Sequence, residues 1–266
     1  MPTSHKTLET KLETTLLKAI NAAGVILAKN INAPKKISSK GAVDIVTQVD
    51  HAAEKIIIQT ILKNFPDHGI LAEESGAQNE HEYKWVIDPL DGTINFAHSM
   101  PMSTVSIALE HNGKIILGGV LDPFRKELFL GRKGRGATLN GKRIHVSSID
   151  TLNRSLLCTG FPYDQRENSD YYLKFFKNFL IESQAVRRYG SAAMDLCNLA
   201  CGRFDGFWEL KLNPWDTAAA SLIVAEAGGT VTDFSGNPYS IYKKEILASN
   251  GKLHRGMLAI LKKSKN

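Results

Sequence analysis

Residues 85–96 read WVIDPLDGTINF, and this segment points most directly to fold and function. Trp85, Val86 and Ile87 are aromatic or β-branched, which is typical of a short buried strand. Proline has no N–H to donate, so we expect the strand to stop at Asp88-Pro89. Asp91-Gly92-Thr93 then supplies a carboxylate, a flexible glycine and a hydroxyl where a new element could offer free N–H groups to a phosphate. The segment predicts that Asp88 and Asp91 face one ligand.

Asp-Pro and Asp-Gly are also ordinary turn dipeptides, so the segment alone leaves a simple turn open. Three further acidic sites favour the ligand. Glu73 follows an apolar run at 69–71. Asp50 is the last residue of the segment 44–50, directly after Thr47-Gln48-Val49, and Asp216 precedes an alanine-rich stretch. Each of these carboxylates is expected at the boundary of a helix or strand.

Carboxylate clusters of this kind suit hard cations. Mg²⁺ takes a few carboxylates together with water and substrate phosphate oxygens, so two or three Mg²⁺ ions are the natural expectation. Zinc is disfavoured, because the three cysteines contain no CxxC pair and the eight histidines show no HxxxH spacing.

Several motifs are similar to those of one known family. Residues 85–98 fill the pattern W-x-I-D-P-[LI]-D-G-T-x-N-F-x-H, and residues 215–219 with 226–229 match a W-D-x-A-A element followed by E-A-G-G. Residues 72–75 match G-E-E-S except at Ala72, and residues 190–193 match G-[ST]-A-A. On these motifs the chain resembles the inositol monophosphatases, specifically their bacterial branch, within the magnesium-dependent, lithium-sensitive sugar-phosphate phosphatases. The likeness runs from about residue 10 to about residue 260.

The resemblance implies a role for each acidic site. Glu73, Asp88, the Leu90 carbonyl and Thr93 would lie around the first metal, and Asp88, Asp91 and Asp216 would hold the second. A third, weaker ion would use Glu73 and water. The catalytic group would consist of Glu73 and Thr93, which orient a metal-bound water, and Asp50, which holds the Thr93 hydroxyl. Phosphate monoester hydrolysis asks mainly for positioning and charge neutralisation, which such a site provides.

The resemblance also implies a substrate site. Glu209, Asp91 and the backbone at Ala192 would hydrogen-bond the hydroxyls of an inositol, and the N–H groups of Gly92 and Thr93 would cradle the phosphate. A solvated loop glutamate is the alternative for Glu209. The full set of substrate-binding residues implied is Asp91, Gly92, Thr93, Gly190, Ser191, Ala192, Glu209 and Asp216.

Three departures from the family pattern concern packing rather than ligands. Ala72 and Ala220 replace glycines, and Ser99-Met100 replaces a glycine-aromatic pair. None of them removes a ligand oxygen, so we expect them to affect rate and substrate preference more than the reaction.

Composition is typical of a cytoplasmic enzyme. The chain has 266 residues, of which 43% are hydrophobic, so it can bury one large or two modest cores. It contains no run of eighteen apolar residues, and the polar start at 1–11 lacks the apolar stretch of a signal peptide, so we expect no membrane association. Cys158, Cys197 and Cys201 form no disulfide framework, and Cys197 and Cys201 are interpreted as small core residues.

The formal net charge of +6 leaves an anionic partner open. Residues 132–135 are a basic cluster between an apolar run at 128–130 and the turn Asn140-Gly141, a pattern that favours a solvated hairpin loop over a nucleic-acid contact.

Periodicity predicts an α/β fold with an α+β amino-terminal half. Two helices are expected around 12–31 and 49–61, followed by a hairpin of 103–109 and 114–121 turning at Asn112-Gly113, with further strand at 127–130. Strand and helix then alternate in the carboxyl-terminal part. The later elements are predicted at 155–159 (strand), 170–183 (helix), 185–189 (strand), 191–200 (helix), 204–208 (strand), 216–227 (helix), 230–233 (strand), 246–249 (strand) and a final helix.

We expect two halves, 1–150 and 151–266, with the metals in the cleft between them. The resemblance implies a layered αβαβα sandwich of the sugar-phosphatase type.

Three functions remain open on the sequence. The first is a Mg²⁺-dependent phosphatase of myo-inositol 1-phosphate. The second is a related phosphatase of fructose 1,6-bisphosphate, histidinol phosphate or 3′-phosphoadenosine 5′-phosphate; Asn95-Phe96 favours inositol monophosphate over the nucleotide. The third is a regulatory protein that binds RNA or RNA polymerase. The resemblance also implies a homodimer.

Overall fold

The computed structural model describes residues 2–39 and 45–265. Within them the helices are α1 (Pro2–Asn30), α2 (Gln48–Asn64), α3 (Thr93–Ala97), α4 (Gln165–Glu182), α5 (Ala192–Ala200), α6 (Pro214–Glu226) and α7 (His254–Lys265), with a 3₁₀ turn at Leu152–Arg154. The strands are β1 (Ile37–Ser39), β2 (Ile45–Thr47), β3 (Gly69–Ala72), β4 (Gly76–Gln78), β5 (Tyr83–Asp91), β6 (Thr104–His111), β7 (Lys114–Asp122), β8 (Glu127–Arg132), β9 (Gly136–Leu139), β10 (Lys142–Arg143), β11 (Leu156–Thr159), β12 (Ala185–Arg187), β13 (Gly206–Leu210), β14 (Thr230–Thr232) and β15 (Glu245–Ser249).

The strands form one large and one smaller sheet. The large sheet has eight strands in the order β10-β9-β8-β7-β6-β5-β3-β4, all antiparallel except the β3–β5 pair. The smaller sheet has the order β12-β11-β13-β15-β14 and is mixed. β1 and β2 pair separately.

These elements stack in five layers. α1 and α2 pack on one face of the large sheet, and α5 and α6 lie between the two sheets. α4 and α7 cover the outer face of the smaller sheet. The predicted α/β fold with an αβαβα arrangement is therefore confirmed.

Three apolar cores hold the layers together, and the second of them covers both faces of the layer formed by α5 and α6. Leu16, Ile20 and Ile57 of the outer helices meet Trp85 of the large sheet in the first core. Small side chains are frequent in the second core, between the sheets, where the alanines of α5 and α6 and Cys197 of α5 let helix and strand backbones approach closely. The third core contains Phe175, Phe179 and Met257, with Phe179 stacked on Trp208 at 3.9 Å between ring centroids.

Most predicted elements are present with shifted ends. The hairpin of β6 and β7 turns at Asn112 and Gly113, whose φ angles are 49° and 75°, as a tight primed turn requires. α4 begins at Gln165, five residues before its predicted start at Asp170. The cysteines are free. Cys197 is buried in the core, as predicted, whereas Cys201 is only partly buried and packs against that core.

Two predicted boundaries are wrong. β5 continues through Pro89 to Asp91 instead of stopping at Asp88. The register with β6 shifts between Asp88 and Asp91, and a bulge of this kind tolerates proline because no ladder N–H is needed there. The strand predicted at 204–208 lies at 206–210, which places Glu209 inside the strand. No helix in the described part of the chain has the length and apolar character needed to cross a membrane.

Candidate active site

The bulge at the end of β5 forms the centre of the site. Asp88 is 1% exposed, and its Oδ1 accepts a hydrogen bond from the Leu90 N–H at 2.9 Å. This local bond holds the carboxylate against the bulge. Gly92, with φ 88°, turns the chain into the short helix α3, which starts at Thr93.

Four carboxylates influence one another at this point. Burial, followed by the charges of Glu73, Asp91 and Asp216, raises the pKa of Asp88 well above its usual range. Burial likewise raises the pKa of Asp216 well above its usual range and that of Asp91 to about 6. The charged neighbours acting on Asp88 are all carboxylates, so the cluster favours a bound cation or bound protons.

The donor set fits Mg²⁺. Among residues 2–39 and 45–265, no three Asp, Glu, His or Cys side chains converge into a complete ligand set for one ion. Mg²⁺ does not need such a set, because it is usually held by one or two carboxylates together with water and substrate oxygens. Backbone carbonyls such as that of Leu90 add donors of the same hard type.

Asp50 and Thr93 meet although they lie far apart in sequence. The Thr93 hydroxyl is 3.2 Å from Asp50 Oδ1 and 3.0 Å from the Leu90 carbonyl oxygen. Asp50 is fixed by the capping box of α2, in which its Oδ2 accepts from the N–H and hydroxyl of Thr47 at 2.9 and 2.5 Å. The hydroxyl of Thr93 can therefore donate to Asp50 while its oxygen remains available to a water or a metal.

Asp91 connects the large sheet to α5. Its Oδ2 accepts hydrogen bonds from the Ser191 hydroxyl at 2.6 Å and from the Ala193 N–H at 2.8 Å. Ser191 is the N-cap of α5, so the carboxylate lies at the positive end of the helix dipole. One oxygen is thus held by the helix, and Asp91 also lines the cavity.

Asp216 lies in the first turn of α6. The helix begins at Pro214, two residues before its predicted start, with Asn213 as N-cap. Asp216 Oδ2 accepts from the Asn213 N–H at 2.6 Å. Asp216 therefore has a capping role and also belongs to the carboxylate cluster; the two roles are compatible because a carboxylate has two oxygens.

Glu73 follows β3, and its N–H donates to the Ile87 carbonyl oxygen at 3.2 Å. The next N–H, that of Glu74, donates to Glu54 Oε2 at 2.8 Å. Sequence reasoning missed Glu54, which is 4% exposed on α2. Its position four residues after Asp50 was the available signal, since helical spacing places both side chains on one face.

A cavity of about 750 Å³ lies between the two sheets next to the cluster. The predicted site residues Glu73, Asp91, Gly92, Thr93, Gly190, Ser191, Ala192, Glu209 and Asp216 all line it. Asp50, Asp88 and Leu90 lie behind this lining and are buried.

Glu209 is 7% exposed, so a solvated loop glutamate is the wrong interpretation of it. Burial, with smaller contributions from the charges of Asp195 and Asp91, raises its pKa well above the usual range. The loop after β11 lines the cavity at Gly160, Phe161 and Tyr163. Sequence reasoning missed that loop and Asp195 of α5; a charged residue in an otherwise small and apolar helix was the signal for Asp195.

The basic cluster at 132–135 forms the predicted hairpin turn between β8 and β9. Arg132 pairs with Glu13, and Arg135 Nη2 lies 2.6 Å from Glu9 Oε2, both on α1. Glu226 Oε1 and Oε2 accept the Gly134 and Gly136 N–H groups, each at 2.7 Å. The two arginines of this turn are therefore partly neutralised within the chain.

Comparison with known proteins agrees with the geometry. The family model described as "Inositol monophosphatase family" matches residues 8–266. A Synechocystis protein named inositol-1-monophosphatase is 46% identical over 255 residues, covering 95% of this chain and 88% of that protein. A Pseudomonas aeruginosa protein named Nus factor SuhB is 43% identical over 253 residues, covering 92% and 93%.

Solved structures extend the likeness to the whole fold. The crystal structure of the extragenic suppressor protein suhB from Bartonella henselae superposes with a TM-score of 0.91 at 39% identity, covering 95% of this chain and 98% of that one. The match over nearly the whole length, together with the carboxylate cluster beside the cavity, identifies the chain as an enzyme that belongs to the inositol monophosphatase family of phosphatases.

Proposed function

We propose that the protein is a Mg²⁺-dependent phosphate monoester hydrolase whose substrate is myo-inositol 1-phosphate. The observation that carries the proposal is the buried Asp88, whose charged neighbours are the carboxylates Glu73, Asp91 and Asp216, beside a cavity that also contains Glu209. The Synechocystis relative's name supports the same substrate.

Each group of the site has a proposed task. Glu73, Asp88, Asp91, Asp216 and the Leu90 carbonyl would hold two to three Mg²⁺ ions. Bound there, Mg²⁺ would neutralise phosphate charge and lower the pKa of water. Glu73 and Thr93 would orient the attacking water, and Asp50 would hold the Thr93 hydroxyl through its 3.2 Å contact.

The same cavity accommodates the substrate. Phosphate oxygens would lie at Gly92 and Thr93, where α3 begins. The alcohol would face Glu209, Asp91 and the backbone around Gly190, Ser191 and Ala192. Buried acceptors of this type suit a polyol, whose hydroxyls are donors.

The test measures phosphate released from inositol 1-phosphate with Mg²⁺, with and without Li⁺. We expect Mg²⁺-dependent turnover that Li⁺ inhibits and that Asp88→Asn abolishes. Asp67→Asn, an exposed aspartate outside the cavity, is the matched control and should retain activity. Equal turnover by Asp88→Asn without added metal would overturn the proposal. A panel including fructose 1,6-bisphosphate, histidinol phosphate and 3′-phosphoadenosine 5′-phosphate decides the substrate.

A second role, binding RNA or RNA polymerase, is favoured by the relative named Nus factor SuhB. Retention of RNA or polymerase in moderate salt, unchanged by Asp88→Asn, would support it, because binding through phosphates weakens steeply with salt. If neither RNA nor RNA polymerase were retained even at low salt, this second role would be excluded. We also propose a cytoplasmic homodimer, which sedimentation as a monomer would contradict.

A further inference from the structure

Asp195 has a buried oxygen without a partner at the cavity. Three buried side-chain atoms in the described part of the chain make no hydrogen bond: Thr104 Oγ1, Ser183 Oγ and Asp195 Oδ1. Only Asp195 among these residues lines the cavity, and its side chain is the only ionisable one of the three. It is 1% exposed on α5.

Neighbouring side chains account for only some of the interactions that the Asp195 carboxyl group needs. The thiol of Cys158, on β11, donates to it, and the charge of Arg188 acts on it from the cavity wall. The remaining oxygen is an unpaired buried acceptor, which is unfavourable for folding. A residue placed only for packing could be apolar here, as its neighbours Met194 and Leu196 are.

Glu209 lies close to Asp195. It projects from β13 into the same cavity, and the charge of Asp195 helps to raise the pKa of Glu209. Gly160 makes room for it, since a Cβ at Gly160 would lie 2.2 Å from Glu209 Oε1. The fold thus leaves space for two neighbouring buried carboxyl groups at the end of the cavity.

Two neighbouring acceptors match the chemistry of a polyol. Each hydroxyl of a polyol donates one hydrogen bond, and adjacent hydroxyls present two donors side by side. A site built to bind a hydroxyl rejects analogues without it, because its buried polar group is then left unpaired.

We propose that Asp195 is a specificity-determining residue whose Oδ1 accepts a hydrogen bond from a substrate hydroxyl next to the one bound by Glu209. This inference rests on the proposed phosphatase function and adds to it a second acceptor for the alcohol. The pairing selects phosphate monoesters of alcohols with adjacent hydroxyls.

The test compares Asp195→Asn with the unaltered protein on inositol 1-phosphate and on phenyl phosphate, which has no alcohol hydroxyls. In Asp195→Asn the amide oxygen can still accept the hydrogen bond from the Cys158 thiol. The NH₂ group then faces the cavity, so a donor replaces the acceptor. We expect KM for inositol 1-phosphate to rise about tenfold or more with kcat little changed, because the NH₂ group replaces an acceptor and leaves the substrate hydroxyl without a partner in a buried place. Both constants for phenyl phosphate should stay within about twofold.

Asp195→Ala provides a second variant, and thermal unfolding checks that each variant folds. Equal losses on both substrates would assign Asp195 a structural role and overturn the inference, as would an unchanged KM for inositol 1-phosphate. If the unaltered protein released phosphate from neither substrate with Mg²⁺, the proposed function itself would fail and this inference with it.

Discussion

At the scale of single residues, Asp88 combines deep burial with like-charged neighbours. One oxygen of Asp88 accepts a hydrogen bond from the Leu90 N–H. Burial and three neighbouring carboxylates disfavour the ionised form of Asp88. Such a residue destabilises the protein when no cation is bound and becomes favourable when one is. The proposed function and the stability of the protein therefore both depend on the side chain of Asp88.

Asp88→Asn is predicted to raise the stability of the metal-free protein by about 1–2 kcal/mol, because the amide cannot ionise among the buried carboxylates and its oxygen can still accept the Leu90 N–H. Mg²⁺ should raise the Tm of the unaltered protein and leave that of the variant nearly unchanged. Thermal unfolding with EDTA and with Mg²⁺ measures both effects. A variant less stable than the unaltered protein in EDTA would contradict the electrostatic account.

Glu54 is predicted to position Glu73 through the Glu74 N–H. Glu54→Ala removes the acceptor and should lower kcat/KM about tenfold while raising the Mg²⁺ concentration for half-maximal activity. Glu54→Gln keeps an acceptor oxygen and serves as the matched control, with activity within about threefold of the unaltered protein. Equal losses in both variants would mean that the charge of Glu54 matters rather than its hydrogen bond.

At the scale of elements, periodic patterns predicted most of the secondary structure. The helical spacing at 12–31 and 49–61 and the Asn112-Gly113 turn are local signals, so α1, α2 and the β6–β7 hairpin are present as predicted. The end of β5 was wrong, because a bulge that tolerates Pro89 depends on the partner strand β6 and not on local sequence. Isolated short strands such as β1 and β4 carry too few residues to show a period.

The contacts of the site follow a similar division. The Thr47–Asp50 capping box is local, whereas the contact of Thr93 with Asp50 joins residues 43 positions apart and was expected only from the family resemblance. Glu54 and Asp195 lacked any motif. Their partners, the Glu74 N–H and the cavity, are brought to them by tertiary structure alone.

The contact between α6 and the large sheet is predicted to depend on Gly118 of β7. A Cβ at Gly118 would lie 2.8 Å from the Cα and carbonyl oxygen of Ala219, so Gly118→Ala must displace the helix backbone and should cost about 2 kcal/mol or more. Gly119→Ala in the same strand is the matched control, since its Cβ would meet the tip of Leu16 at 2.6 Å and that side chain can move. Urea unfolding of both variants compares them, and equal costs would contradict the prediction.

At the scale of the whole molecule, the site is assembled from distant parts of the chain. β5 belongs to the large sheet, Glu209 belongs to the smaller sheet, and α5 and α6 lie between them. Asp88, Asp91 and Glu73 come from the large sheet, and Asp216 joins them only when α6 packs against that sheet, so we expect the ions to stabilise the packing of α6 on the sheet.

The stabilisation by Mg²⁺ is predicted to grow with pH. The pKa of Asp91 is raised to about 6, so its contribution to stability in the metal-free protein is lost as pH rises from about 4 through about 6. Mg²⁺ competes with protons for these carboxylates, so it binds more strongly at a pH at which they have already lost their protons. The rise in Tm caused by Mg²⁺ should therefore be about twofold or more larger at pH 8 than at pH 5.

His68 changes the stability of the protein with pH in the opposite direction, and its contribution has to be separated from that of Asp91. Burial lowers its pKa to about 4, so its neutral form, which accepts from Trp85 Nε1–H at 3.0 Å, supports folding above pH 6.5 and is lost toward pH 4. This contribution is the same with and without Mg²⁺ and cancels in the difference between the two. An equal Tm rise at both pH values would contradict proton displacement from the cluster.

The bond between Asp91 and α5 has a consequence for selectivity. The same carboxylate that would hold an ion closes the first turn of the helix that carries Ala192 and Asp195. A divalent ion that required another position of Asp91 would therefore disturb this turn and, with it, the part of the cavity wall formed by Ala192 and Asp195. Exchanging the metal is thus expected to alter which alcohols the enzyme accepts without any change in its amino acids.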